Sequence, residues 1–288
     1  MRILILGHKG MLGSDLMLRL ARVHEVAGRD VDAFDIVSES DCRRVIAEYS
    51  PEVVINAAAY TNVDGCETNR EGCFAVNAVG VKNIALACRG RGTMLVHFST
   101  DYVFDGRKRS PYREEDPPAP LNVYGASKLE GERQLQTLAE NYLLIRTAWL
   151  YGRHGKNFVK TILEKASAVK ILEVVDDQIG SPTYSRDLAA AVEFLVEGGH
   201  RGVFHVTNRG RCSWYEFACK IVQYAGKNDV TVRPIGSERL SRPALRPAWS
   251  VLSGRKFTAI SGKAMPHWQR ALKDYLAEES CRPEEQGD

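Results

Sequence analysis

Short, strongly apolar runs alternate with amphipathic stretches through the first half of the chain. Arg2–Leu6 reads as a buried strand, followed by glycines and then by helical spacing over residues 13–23. Residues 53–57 and 94–99 form two further apolar runs, and residues 142–146 another. Between them the spacing predicts helices over residues 42–49, 73–89 and 125–138. Strands separated by helices of this length need crossover connections, so the pattern predicts a doubly wound, parallel α/β sheet. Residues 107–121, rich in Pro, Asp and Glu, predict a long loop before the last of these helices. Beyond Arg146 the pattern loosens, with more Gly, Pro and aromatic residues, and a smaller second domain is expected from Trp149 onward. The expected division is 1–148 and 149–288, the later part lending elements back to the main sheet and the polar tail fraying from about residue 277.

Composition narrows the functional classes. With 288 residues, 44% hydrophobic and 26% charged, the chain can bury a sizeable core. Its net charge of +3 is scattered, without the basic stripe of a nucleic-acid binder. No apolar run approaches the roughly 18 residues of a membrane span, and the run after Met1 is too short for a signal peptide. Seven irregularly spaced cysteines with no CxxC pair suggest neither a disulfide framework nor a zinc site; reduced thiols in a cytoplasmic protein are expected.

Two local patterns carry candidate chemistry. Gly7, Gly10 and Gly13 follow the first strand with GxxGxxG spacing and open a helix. Such a turn, free of Cβ atoms, lets the backbone approach a pyrophosphate whose charge then sits at the helix N-terminus. Asp30, about 20 residues on, stands where an acidic side chain can accept from an adenosine ribose. Neighbouring Arg29 could instead pair with a 2′-phosphate, so NADH and NADPH both stay open. The second pattern is Tyr124 and Lys128, four residues apart and hence on one helical face. A nearby ammonium is expected to pull the phenol below its ordinary pKa near 10 and make it a usable acid. Thr100 ends the strand upstream, placed to donate to a substrate carbonyl, and the small residues after Asn56 end another strand where a cofactor could enter.

Longer motifs make a resemblance specific. NAAAYTNVDGCE from Asn56, STDYVFDG from Ser99, PLNVYGASKLEGE from Pro120 and RTAWLYG from Arg146 are joined by DDQIGSPTYSRDLA from Asp176, GVFHVTNRGRCSWYEFA from Gly202 and RPAWSVLS from Arg246. Together these resemble the dTDP-4-dehydrorhamnose reductase family of extended short-chain dehydrogenases, over residues 1 to about 253. The resemblance implies a Rossmann-like domain followed by a smaller substrate-binding domain, and hydride transfer from NADPH or NADH to C4 of a dTDP-linked 4-keto sugar. It implies Tyr124, Lys128 and Thr100 as catalytic residues. Coenzyme contacts carry over to Gly7, Gly10, Met11, Leu12, Gly13, Asp30, Asp35, Ile36, Ala59, Tyr60, Thr61 and Phe98, besides Tyr124 and Lys128. Thr100, Asp101 and Trp149 would meet the sugar, while Gln178 and Arg246 could serve the site or brace the second domain. The family often has Gln where Met11 stands, and a basic residue where Val31 follows Asp30. Some members hold Mg²⁺ through glutamates at a dimer contact; Asp15 and Glu193 lie near such positions, but no metal is expected, and the oligomeric state, monomer or homodimer, is left open.

Three other readings bear on the prediction. A 4,6-dehydratase needs an acid to expel the C6 hydroxyl, and Tyr102 stands where that family usually carries Glu. A 4-epimerase is disfavoured by the downstream motifs, and a non-catalytic regulatory subunit by the retention of Thr100, Tyr124 and Lys128. Ser213 with Glu216 three residues on reads as a capping box, so Trp214, Tyr215 and Phe217 are expected to begin a core-packed helix rather than form a stacking platform.

Overall fold

The computed structural model describes residues 1–280. In its first half, β1 (Arg2–Leu6), α1 (Met11–Leu20), β2 (Glu25–Arg29), α2 (Glu39–Tyr49) and β3 (Val53–Asn56) are followed by α3 (Val63–Thr68) and α4 (Arg70–Phe74). A π-helical turn, Ala75–Val79, joins α4 to α5 (Gly80–Cys88); then come β4 (Met94–Thr100), α6 (Val123–Leu138) and β5 (Tyr142–Thr147). The β1, β3 and β4 runs are buried along nearly their whole length, as expected of strands covered on both faces.

The second half contributes β6 (Leu150–Tyr151), α7 (Phe158–Ala168), β7 (Ile171–Val175), β8 (Ile179–Gly180), β9 (Thr183–Tyr184) and α8 (Ser185–Glu197). It continues with β10 (Gly202–His205), β11 (Cys212–Ser213), α9 (Trp214–Tyr224), β12 (Thr231–Ile235), α10 (Arg255–Ser261) and α11 (Trp268–Ser280). Helix α11 carries regular structure through Ser280, so the fraying expected from residue 277 does not begin there; Leu276 is buried at its end and the Ser280 hydroxyl donates back to the Leu276 carbonyl. The remainder of that expectation lies outside the described residues.

Six parallel strands form the main sheet in the order β10-β5-β4-β3-β1-β2. One apolar cluster, including Leu12, Leu16, Leu188 and Val192, covers one face, and another, including Ile46, Ile84 and Leu135, covers the other. Strand order reverses between β1 and β3, the switch point at whose carboxyl ends ligands bind in such sheets. Strand β10 returns late in the chain to pair with β5, and α8 supplies apolar side chains to the first cluster. A third core gathers Tyr151, Val159, Leu172, Phe217, Ile221, Trp268 and Leu272 from the second half. Ser213 caps α9 with the reciprocal Glu216 contact, and Phe217 is fully buried, so the capping reading of this segment holds. No helix among the described residues is long and apolar enough to cross a membrane.

Candidate active site

The glycine turn is built by close approach. Gly7 has φ +79°, and a Cβ there would come within 2.6 Å of the Ala58 nitrogen, so β1 and the segment after β3 can converge only without a side chain. A Cβ on Gly13 would stand 2.1 Å from the Gly7 carbonyl oxygen. Helix α1 then starts at Met11 with no side-chain cap and no acidic residue in its first turn, which leaves its N–H groups free for an anion. Asp30 holds the turn in shape: its carboxylate accepts from the Lys9 amide at 2.8 Å and the Val31 amide at 2.9 Å. Lys9 pairs with Asp32 at 2.7 Å. Asp35 accepts from the Val37 amide at 2.9 Å, and buried Ile36 packs where a Cβ on Gly80 would touch it at 2.8 Å.

The π-helical turn positions the loop beyond β3. Asn77, buried within it, accepts from the Tyr60 amide at 2.9 Å and donates to the Tyr60 carbonyl at 3.0 Å and the Ser127 hydroxyl at 3.0 Å. This one side chain ties the Ala59–Tyr60–Thr61 segment to the helix bearing Tyr124 and Lys128. Nothing in local spacing announced it.

Thr100 donates to the Asp101 carboxylate at 3.0 Å and accepts from the Tyr102 amide at 3.1 Å. Burial, offset by the hydroxyls of Ser250 and Thr100, raises Asp101 to a pKa of about 7. Burial also lowers Lys128 to about 8, against the Glu132 carboxylate on the same helix. Lowering of Tyr124 by Lys128, expected from their spacing, is not found. Burial first and the Asp101 charge second push the phenol above its ordinary value, with the Thr100 hydroxyl opposing. The lysine is desolvated along with the phenol, so proximity alone does not make Tyr124 acidic. Lys128 Nζ instead lies 3.3 Å from Nε2 of buried His97, whose Nδ1 is 3.1 Å from Asn56 Nδ2.

These groups share a cleft of about 620 Å³. Its lining brings together Gly10, Met11, Leu12, Ala59, Thr61 and Phe98 on one side and Thr100, Asp101, Tyr124, Lys128 and Trp149 on the other. Gly7, Gly13, Asp30, Asp35, Ile36 and Tyr60 do not line it; they shape or support the loops around it. The Ser99 and Thr147 hydroxyls in the cleft wall are buried without a hydrogen-bond partner among the described residues. Trp149 adopts φ +47°, a conformation that costs a non-glycine residue on the order of 1–3 kcal/mol, and stacks on Trp214 with ring centroids 3.5 Å apart. Gly180 makes room for the indole, since a Cβ there would approach it to 2.3 Å.

Trp214 also lines a second cavity of about 770 Å³, with Tyr102, Phe158, Lys165, Arg242 and Arg246. Arg246 makes a two-pronged ion pair with Asp64 on α3, at 2.8 and 3.1 Å. Gln178 donates to the Ser237 hydroxyl at 2.7 Å, a contact within the second half, and lines neither cavity. Lys165 and Arg242 were not singled out by the sequence, where each is one exposed-looking cation among many. Asp15 accepts from the Ser185 hydroxyl, and Glu193 pairs with Arg19 at 2.6 Å. Among the described residues no group of three or more acidic, His or Cys side chains could hold a metal ion.

A parallel sheet with a glycine turn at its switch point, and a Tyr–Lys helix facing the same cleft, define a dinucleotide-dependent enzyme of short-chain dehydrogenase architecture. The chain belongs to the family described as RmlD substrate binding domain, whose model matches residues 1–281. It is 40% identical to the spore coat polysaccharide biosynthesis protein SpsK of Bacillus subtilis, over 97% of this chain and 98% of that one. It is 40% identical to the dTDP-4-dehydrorhamnose reductase of Mycobacterium tuberculosis, over 96% and 92%. The crystal structure of dTDP-4-dehydrorhamnose reductase from Bacillus anthracis in complex with NADP superimposes with a TM-score of 0.93 at 39% identity, covering 96% of this chain and 99% of that one.

Proposed function

We propose that this protein reduces the C4 ketone of dTDP-4-dehydro-L-rhamnose with NADPH or NADH, yielding dTDP-L-rhamnose. The observation that carries the reading is the convergence of the glycine turn, Tyr124 and Lys128 on one cleft that a tryptophan pair separates from a basic, aromatic cavity. Relatives about 40% identical over most of both chains bear the reductase name, and one of the structural relatives holds NADP. The chain's own residues suit a dinucleotide: the cradle is closed to any Cβ at Gly7 and Gly13, the N-terminus of α1 has no side-chain cap, and two cleft hydroxyls lack partners among the described residues.

In this reading the coenzyme supplies the hydride. Gly7, Gly10 and Gly13 shape the turn that admits its pyrophosphate, Met11 and Leu12 offer it their backbone N–H groups at the start of α1, and Asp30, Asp35 and Ile36 lie around the adenosine with Ala59, Tyr60, Thr61 and Phe98 along the rest. Tyr124 gives its phenolic proton to the developing C4 oxygen, Thr100 turns its single hydroxyl proton from Asp101 toward that oxygen, and Lys128 steers the phenol and the nicotinamide ribose. Asp101 and Trp149 hold the sugar. Phe158 and Trp214 suit a nucleobase, and Lys165 and Arg242 suit the diphosphate. We assign residues 1–148 mainly to coenzyme and 149–288 mainly to substrate, and we place the protein in the cytoplasm, in keeping with six free cysteines among the described residues.

Loss of nicotinamide absorbance on mixing protein, NADPH or NADH and dTDP-4-dehydro-L-rhamnose tests the activity. Turnover is expected, with Tyr124→Phe lowering kcat by about 10²- to 10⁴-fold. Undiminished turnover in that variant removes the phenol from its role, and coenzyme binding without reduction of any keto sugar favours a regulatory protein.

A further inference from the structure

Lys128, His97 and Asn56 form a chain of contacts closed off from solvent, all three being at most 3% exposed. Its orientation is readable from one end. The Ala58 amide donates to Asn56 Oδ1 at 3.1 Å, which turns the Asn56 Nδ2 group toward His97 Nδ1, 3.1 Å away. An amide nitrogen only donates, so Nδ1 must accept. Burial first and the nearby lysine second hold His97 well below the ordinary imidazole value, against a contact with the Asn56 backbone that favours the charged ring, so the ring is neutral and carries a single proton. That proton is then on Nε2, the nitrogen 3.3 Å from Lys128 Nζ.

We propose that His97 is a positioning residue: oriented by Asn56, it presents a ring N–H to Lys128, anchors the amine in the cleft and favours its uncharged form. An amine lone pair accepts this N–H, whereas an ammonium sets its own protons against it. The other groups around Lys128 pull differently. Glu132 on the same helix and Cys73 from α4 favour the charged form, and burial opposes it. Tyr124 lies one turn back, with Asp101 acting on that phenol. His97 thus reinforces burial in bringing Lys128 into the range where it can exchange protons near neutrality. The proposal rests on the functional reading of the Tyr124–Lys128 pair.

Proton titration read by NMR tests it without the sugar. With ¹³Cε-labelled lysine, the resonance missing in Lys128→Met should titrate near pH 8 in the coenzyme-free protein. His97→Gln, whose amide is free to turn its oxygen toward the amine, should raise that midpoint by about half a pH unit or more. Asn56→Ala, which frees the imidazole to take its other tautomer, should raise it by less. ¹⁵N-labelled histidine should report His97 protonated on Nε2 in the wild type. In turnover, the alkaline limb of kcat should follow the midpoint while KM for the sugar stays put. A midpoint that is unmoved or lowered in both variants, or a His97 proton on Nδ1, overturns the proposal. A residue that is only core filling would change stability and leave both midpoint and limb in place. Failure of the wild type to reduce any keto sugar would sink the functional reading instead, and the titration would still decide the His97–Lys128 coupling.

Discussion

At the scale of single residues, the cleft is governed by desolvation more than by pairing. Asp101 is 2% exposed, and its pKa of about 7 means that a carboxyl group stays protonated over most of the acid range. The unfolded chain loses that proton near 3.8. Between these values the folded state binds the extra proton, so this group's contribution to stability is complete below pH 4 and is lost as pH rises through 7. The span corresponds to on the order of 4 kcal/mol. Asp101→Asn cannot ionise, yet its amide oxygen can still accept from Thr100. Urea unfolding should therefore show the variant matching the wild type at pH 4 and exceeding it at pH 8, with less activity at both. Equal stability at pH 8 would mean that the Asp101 carboxyl ionises without penalty. His205 acts in the opposite sense: burial and Arg146 lower it to about 3, so the stability tied to its neutral ring is lost as pH falls below 6.5.

At the scale of elements, what was legible in the sequence is what a short window encodes. The strands β1, β3, β4 and β5 and the helices α2 and α6 show in the apolar pattern, because both faces of a strand or one face of a helix are buried. The π-helical turn does not show, since five residues are too few to separate its wider winding from an α-helix inside one apolar stretch. Nor do β6, β8, β9 and β11, each two residues long, which carry no readable period. The turn matters because α6 packs on it through Gly131, where a Cβ would lie 2.2 Å from the Asn77 carbonyl oxygen. That neighbour is backbone and cannot swing aside. Gly131→Ala should destabilise the fold by about 1–3 kcal/mol through overpacking. It should also lower kcat, because the helix bearing Tyr124 and Lys128 must shift; a variant with wild-type urea midpoint and kcat would show that α6 has slack against the turn.

At the scale of the whole molecule, the cleft gathers residues from Gly10 to Lys156, and contacts between such distant positions set the limit of sequence reading. Gly7–Gly13 and Tyr124–Lys128 are local pairs, legible from their spacing along the chain alone. The contacts His97–Lys128, Asn77–Tyr60 and Arg246–Asp64 join residues 31, 17 and 182 positions apart, and depend on which strands and helices become neighbours. The tryptophan stack is of the same kind. Trp149 lies two residues beyond the last strand of the first half, whereas Trp214 opens a helix of the core that the second half builds. The glycine turn, β3 and β4 belong to the first half and need no support from that helix. Trp214→Ala should therefore leave the Kd for NADPH unchanged in a fluorescence titration. Loss of the stack frees Trp149 from its left-handed conformation, and KM for the sugar nucleotide should rise about 5- to 10-fold, the equivalent of one aromatic pair. Weakened coenzyme binding with an unaltered KM would reverse that division of labour, assigning the stack to the dinucleotide side of the cleft.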